Sequence, residues 1–231
     1  VPDTVSVAAE CMGVKVPASR FLNDTRIERI NAARYEGQEI AGALHVTRPN
    51  DRVLEIGAGL GIVGAVVALN AKPEAVTSFE ANPELVPEIE ALYALNYLGG
   101  RISLRNQILI SAPDRPDSMP FHLRSSYLGS SLLNPAGRPS TVVDVPTADF
   151  AAVCTETRST VLIMDIEGGE LELLRHADLG QFRAVVLEFH PEAYGVEGMR
   201  ECKAILTGAG FARVEEKSTR TVWTCLRDQA G

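Results

Sequence analysis

Cysteine is scarce in this 231-residue chain, and its placement excludes two common uses. Cys11, Cys154, Cys202 and Cys225 lie far apart, none falls in a C-x-x-C pair, and no histidine-rich tract accompanies them. Neither a zinc site nor a disulfide framework is expected, and reduced cysteines fit a cytoplasmic protein. Long apolar runs are also missing. None approaches the ~18 residues of a membrane-spanning helix, and no charged-then-apolar leader opens the chain. No membrane partner is therefore expected. Basic residues are outnumbered, with 22 Lys and Arg against 30 Asp and Glu and a net charge of −8. The first 50 residues balance at six of each sign, so the acidic excess lies beyond them. Without a basic stripe, a nucleic-acid partner is disfavoured. His45, His122 and His176 show no metal-ligand spacing, and the chain has no internal repeats.

What is present is an ordinary globular composition, 45% hydrophobic and 23% charged. That suffices for a sizeable core without cross-links. The chain is organised around Val53-Leu-Glu-Ile-Gly-Ala-Gly-Leu-Gly-Ile-Val-Gly64. Val53, Leu54 and Ile56 make a short buried strand. Gly57, Ala58, Gly59 and Gly61 make a tight turn that lets a ligand approach the backbone. Residues 60–70 then form an apolar helix. Strand, glycine turn and helix open a doubly wound α/β domain whose ligand sits at the turn. A dinucleotide fingerprint counted from Gly57 requires glycine where Ile62 stands. The spacing is G-x-G-x-G, preceded by Glu55. A carboxylate there repels a pyrophosphate and suits a sulfonium or ammonium group, which favours S-adenosylmethionine over NAD.

Residues 1–45 read as an N-terminal arm and helix on the substrate side. Asn23 or Asp24 caps a helix over 25–44, weakened at Gly37 and Gly42. Residues 46–231 read as the α/β domain. Strand 75–79 ends at Glu80-Ala81, 23 residues beyond Gly57, where a carboxylate grips ribose hydroxyls. Asn82 and Pro83 start the next helix. Strand 102–105 ends at Asn106-Gln107. Residues 111–140, rich in Pro, Ser and Gly, read as a substrate-side insertion with one strand over 119–123. A strand over 141–145 is followed by a helix starting at Pro146 and Thr147. Strand 160–164 ends in Asp165-Ile-Glu167-Gly-Gly-Glu170, and strand 184–187 in Glu188-Phe-His190-Pro191. A helix over 196–207 and an antiparallel hairpin close the chain. Right-handed crossovers gather Glu55, the glycines, Glu80, Asn106, Asp165, Glu167 and His190 on one rim.

These residues carry a family resemblance. Val53-Leu-Glu-Ile-Gly-Ala-Gly-Leu-Gly61, Glu80 and the closing hairpin resemble class I S-adenosylmethionine-dependent methyltransferases. Leu162-Ile-Met-Asp-Ile-Glu-Gly-Gly-Glu170 and Val186-Leu-Glu-Phe-His-Pro191 resemble the paired motifs of the FkbM family. The similarity runs from about Tyr35 to Leu226. Met164 departs from it, because the family often carries lysine near the aspartate. The resemblance implies a Rossmann-like, mostly parallel seven-stranded sheet with an antiparallel last strand and helices on both faces. It further implies methyl transfer to an oxygen of a small-molecule, sugar or polyketide-like acceptor. The glycine turn would hold the methionine moiety, Glu80 the ribose, and Asn106 or Gln107 would lie near the adenine. Asp165 would face the sulfonium and the acceptor.

The Asn-Pro-Pro-Tyr segment typical of amino-group methylation is absent after strand 160–164. N-methylation, a protein or RNA acceptor, and a nicotinamide-dependent oxidoreductase are the competing readings. A hydroxyl needs a general base, for which His190, Asp165 and Glu167 are the candidates. A cluster of acids can bind Mg²⁺, but no metal ligand is assigned. Glu170 reads as structural. Tyr35 and Glu36 read as a solvated helix face in preference to a cover over the cofactor. A homo-oligomer stays open.

Overall fold

The computed structural model describes residues 6–123 and 140–227. Part of the expected insertion, residues 124–139, lies outside them. The centre is a seven-stranded sheet in the order β11-β12-β10-β9-β3-β4-β5. Five strands are parallel: β3 (Arg52–Ile56), β4 (Ala75–Phe79), β5 (Ile102–Arg105), β9 (Val161–Met164) and β10 (Ala184–Glu188). β12 (Val222–Arg227) runs antiparallel to β10, and β11 (Phe211–Arg213) pairs outside β12. The closing hairpin thus enters the sheet through its second strand. The strand order reverses between β3 and β9, and a doubly wound sheet opens its ligand crevice at such a reversal. The register there is Val53↔Val161 to Ile56↔Met164. The chain folds as expected into an α/β class with a mostly parallel sheet.

Two apolar clusters lie on opposite faces. Leu54, Ile56, Leu162, Met164, Val185 and Leu187 point to one; Val53, Val161, Ile163, Ala184 and Val186 point to the other. The alternation follows from the two-residue period of a strand, and the uninterrupted apolar runs from burial on both sides. Helix α3 (Ile62–Asn70) is buried from Ile62 to Ala68, which explains why it has no polar face. It is covered by the N-terminal segment, where the arm is a hairpin of β1 (Val7–Cys11) and β2 (Val14–Pro17). Met12 (φ 47°) and Gly13 (φ 85°) turn it, as a two-residue hairpin turn requires.

Several boundaries differ from expectation. The 25–44 helix is two helices, α1 (Asp24–Asn31), capped by Asn23 accepting from the Arg26 N–H, and α2 (Gly37–Val46). The break falls at Ala33 and Glu36, both left-handed, upstream of the glycines. α4 (Val86–Leu95) starts later than Pro83, because Asn82 is spent on a turn, accepting from the Glu84 N–H. β8 (Thr141–Asp149) runs through Pro146, and α5 (Phe150–Thr157) begins only where Asp149 accepts from the Ala152 N–H. Proline sits on β8 where that strand passes from one neighbour, β7 (Ser118–Leu123), to the other, β6 (Ile108–Ile110). These three strands form a second, small sheet with its own core of Ile108, Phe121, Leu123 and Val145. α6 (Glu170–His176) follows β9. α7 (Pro191–Gly208) begins five residues before the expected helix and is kinked at Gly195. Among the described residues no helix is long and apolar enough to cross a membrane.

α2 reaches the sheet through Gly42. A Cβ there would stand 2.1 Å from Thr224 Oγ1 and 3.3 Å from Val186 Cγ1. Thr224 is fully buried and donates to the Lys217 carbonyl. Gly42→Ala should therefore cost about 1–3 kcal/mol through overpacking, read as a lower urea midpoint at unchanged m-value.

Candidate functional site

At the carboxyl end of β3 and β9 lies a cavity of about 420 Å³, within the size range of small-ligand sites. Its floor is the glycine turn. A Cβ on Gly57 (φ 87°) would fall 1.7 Å from the Asp165 carbonyl oxygen, so only glycine lets β3 and β9 run this close. The Gly57 and Ala58 N–H groups both donate to the Phe79 carbonyl, and the Asp165 N–H to the Ile56 carbonyl. These bonds tie the ends of β3, β4 and β9 into one surface. Gly61 (φ 77°) is the N-terminal cap of α3 and packs against Ile89 and Tyr93, outside the cavity lining.

Glu55 is 1% exposed and sits beneath the first turn of α3. Its carboxyl accepts from the Ser78 hydroxyl and from the Gly64 N–H. A Cβ on residue 64 would meet Glu55 Oε2 at 2.3 Å. Gly61 has no side chain with which to cap the helix, and Glu55 does that work from the neighbouring strand. Burial pushes its carboxyl up to about 7.

Glu80 accepts from the Gly59 N–H at 2.8 Å through Oε2 and from the Asn82 N–H at 2.7 Å through Oε1. Burial outweighs these bonds and holds it at about 7 as well. The Ala81 N–H also bears on the carboxyl, and a carboxylate has about four acceptor positions, so it keeps capacity for a further hydrogen bond such as one from a ribose hydroxyl. Ala81 and Gln107 line the cavity beside it. Asn106 does not; its amide donates back to the carbonyls of Glu80 and Ala81 and fixes that turn.

Across the glycine turn stands an acidic group. Asp165 and Glu167 line the cavity, and His190 lies behind them with Nε2 3.5 Å from Asp165 Oδ1 and 3.6 Å from Glu167 Oε2. His190 Nδ1 is 2.9 Å from Glu170 Oε1. From α2 and the residues before it come Tyr35, Glu36 and Glu39, all lining the cavity. The sequence favoured a solvated helix face for Tyr35 and Glu36, but Tyr35 is buried. The left-handed Glu36 (φ 45°) turns the chain inward at that point. Burial, then Glu36 and Glu188, raise the Asp165 carboxyl well above the carboxylate range. Burial and Glu39 likewise raise Glu36, and burial and Glu39 raise Glu188. Burial alone would lower the His190 imidazole, but Glu170, Asp165 and Glu167 prevail and hold it at about 10. Carboxylate oxygens of Glu36, Asp165 and Glu188 come within 4.8 Å of one another. No metal is assigned to them.

The remaining wall is apolar and comes from the small sheet: Ile108, Ile110, Met119 and Phe121. Eight acids line the cavity, Glu36, Glu39, Glu55, Glu80, Asp114, Asp165, Glu167 and Glu172, and no Lys, Arg or His does among the described residues. Glu39, Asp114 and Glu172 were not singled out in the sequence. They lie on elements whose approach to the strand ends only the folded chain reveals.

The fold and this site define a class I methyltransferase. Residues 55–213 match the Methyltransferase FkbM domain, more than half of the chain. The chain belongs to that family, is an S-adenosylmethionine-dependent methyltransferase, and takes S-adenosylmethionine as its cofactor. Among solved structures it is similar to a precorrin-6y C5,15-methyltransferase from Geobacter metallireducens GS-15. That match has 12% identity, covers 96% of this chain and 98% of the other, and has a TM-score of 0.50. It is also similar to a ribosomal protein L11 methylase from Lactobacillus delbrueckii subsp. bulgaricus, with 13% identity, 85% and 80% coverage and a TM-score of 0.50. No curated protein matches the chain.

The raised Glu55 carboxyl sets a sign for stability. Its folded pKa of about 7 lies above the unfolded value of 4.5. Its contribution is therefore fully present below pH 4.5 and is lost as pH rises through 7. Glu55→Gln should stabilise the ligand-free protein at pH 8 by about 1–3 kcal/mol and give no gain at pH 4.5. Thermal melts at the two pH values check this.

Proposed function

We propose that the protein transfers a methyl group to a hydroxyl oxygen of a small acceptor that is uncharged or cationic. One observation carries the reading: the acceptor half of the cavity presents Asp165 and Glu167 beside Glu36 and Glu39, with no cationic side chain among the described lining residues. Such a lining repels phosphates and polyanions and accommodates neutral or amine-bearing molecules. It argues against a nucleic-acid acceptor and fits the small apolar wall opposite.

The residues present suit the cofactor. Gly57 and Gly59 leave the backbone bare at the turn, Glu80 offers oxygens to ribose hydroxyls, and Gln107 flanks the same side. The surrounding carboxylates favour a positive ligand. Bound there, S-adenosylmethionine supplies an electrophilic methyl group on a cationic sulfur. The chain's own task is alignment and proton removal. The cavity walls would hold the acceptor oxygen against the methyl donor, and orientation supplies much of the rate of such a transfer. Asp165 would accept the proton of the acceptor hydroxyl as that oxygen takes the methyl group. Burial raises its carboxyl, which makes it a stronger base for a hydroxyl than an exposed aspartate. Glu167 shares the cavity wall and is the second candidate. Tyr35 and Glu36 line the cavity, which supports an N-terminal segment on the acceptor side.

The test is transfer of tritium from methyl-labelled S-adenosylmethionine to a panel of neutral and aminated polyols, sugars and macrolides, with RNA and bulk protein as controls. Label should appear in small hydroxylated molecules. Asp165→Asn should lower kcat roughly 10²–10⁴-fold while cofactor affinity is kept. Glu80→Ala should instead weaken cofactor binding by about 1.5–3 kcal/mol, as for a hydrogen bond to a charged group. Label confined to RNA or protein, or an undiminished Asp165→Asn, would overturn the reading.

A further inference from the structure

We propose that Glu170 and His190 are positioning residues: a buried carboxylate–imidazole pair that fixes Asp165 and Glu167 as the two carboxylates facing the acceptor. The proposal rests on the methyl-transfer reading only for what those two carboxylates act upon.

Glu170 is 0% exposed, an expensive place for a carboxylate unless it is put to use. Its Oε1 accepts from the Ile166 N–H and the Gly168 N–H, both at 3.2 Å. It thereby closes the turn that carries Asp165 and Glu167. That turn needs closing, because Glu167 itself is left-handed (φ 53°), a conformation that costs a non-glycine residue about 1 kcal/mol or more. The same oxygen holds His190 Nδ1 at 2.9 Å. The residue is anchored through its backbone too. The His190 N–H donates to the Tyr194 hydroxyl at 2.7 Å, and Pro191 starts α7 immediately after. With both the backbone and Nδ1 fixed, Nε2 has one direction left, toward Asp165 Oδ1 and Glu167 Oε2. Asp165 Oδ1 is buried and has no hydrogen-bond partner, so the imidazole edge is the nearest positive group it faces.

The charges around His190 explain why a cation belongs there. Asp165 and Glu167 face it from the β9–α6 turn, Glu170 from α6, and Glu188 from β10. Glu36 and Glu39 bear on the same acids from the α2 side, and the Tyr194 hydroxyl on α7 accepts from the His190 backbone N–H. His190 is the cation at the centre of this group. A protonated ring with Nδ1–H on Glu170 and Nε2–H toward Asp165 and Glu167 keeps two neighbouring carboxylates together at the cavity wall. A neutral ring would leave them to repel one another. His190 itself does not line the cavity. It acts through Asp165 and Glu167 and makes no contact with substrate.

The test is a nitrogen-15 NMR titration of the four histidine rings from pH 5 to 10. His190→Gln identifies the His190 signals by their loss. In the wild type, both His190 ring nitrogens should keep imidazolium shifts beyond pH 8. In Glu170→Gln, confirmed as folded by its amide spectrum, the His190 midpoint should fall by at least one pH unit. The tritium assay with its identified acceptor supplies the second readout. Glu170→Gln should lower kcat at least tenfold, leave KM for S-adenosylmethionine within twofold, and move the alkaline limb of the rate profile to lower pH. A wild-type His190 midpoint near 6.5, or a folded Glu170→Gln with unchanged His190 titration, would overturn the proposal. The wild-type titration needs neither a stable variant nor an acceptor, so it decides this point even if methyl transfer to hydroxyls fails.

Discussion

The contact between the glycine turn and β9 governs this structure. Gly57 lies against the Asp165 carbonyl so closely that a single methyl group would part the strands. That contact joins the two halves of the sheet at the reversal of strand order. It places the glycine turn and the acid-bearing turn at one cavity wall. Glu55 adds the second half of the constraint by capping α3 from beneath through Gly64. The result is a rigid corner built from backbone and one buried carboxyl. The chemistry then depends on side chains arriving from four further elements.

A single electrostatic theme runs through those side chains. Glu55, Glu80, Asp165 and Glu36 are all held above the ordinary carboxylate range, with burial as the first cause in each case. A fold that removes this many acids from water, with no Lys, Arg or His among the described residues of the cavity lining, has stored an affinity for positive charge. In the proposed function, the sulfonium of S-adenosylmethionine would answer it on one side. On the other, His190 answers it from behind the cavity wall. The stability given up at neutral pH is the kind of local cost that functional sites retain.

Much of this was legible in the sequence, for identifiable reasons. The strand–glycine–helix unit at 53–64 and the apolar run at 161–164 each carry a strong local pattern, and both form as read. So does the convergence of Glu80, Asp165 and Glu167 on one rim, because strand ends in a parallel sheet share a side. Other features depend on contacts the sequence does not display. The α1–α2 break falls at Ala33 and Glu36, which carry no breaker signal, so the inward turn of Tyr35 and Glu36 was hidden. Pro146 suggested a helix start, yet it is tolerated in β8 at the change of partner strand. Asn106 lies on the rim but spends its amide on the Glu80–Ala81 turn. Glu55 pointed to the right ligand charge by its place, while its bonds serve the helix above it. Glu170 read as structural, and its partner His190 stands twenty residues on, immediately before α7.

On the proposed function, this acid-lined corner is built for a cationic adenosyl ligand. Calorimetric titration of the unmodified protein with S-adenosylmethionine and, separately, NADH tests it most directly. Micromolar binding of S-adenosylmethionine is expected, with no heat of binding from NADH, whose pyrophosphate meets carboxylates and no cationic side chain among the described lining residues. Binding of NADH with none of S-adenosylmethionine would contradict it, and the glycine turn would then have to be understood as a dinucleotide site.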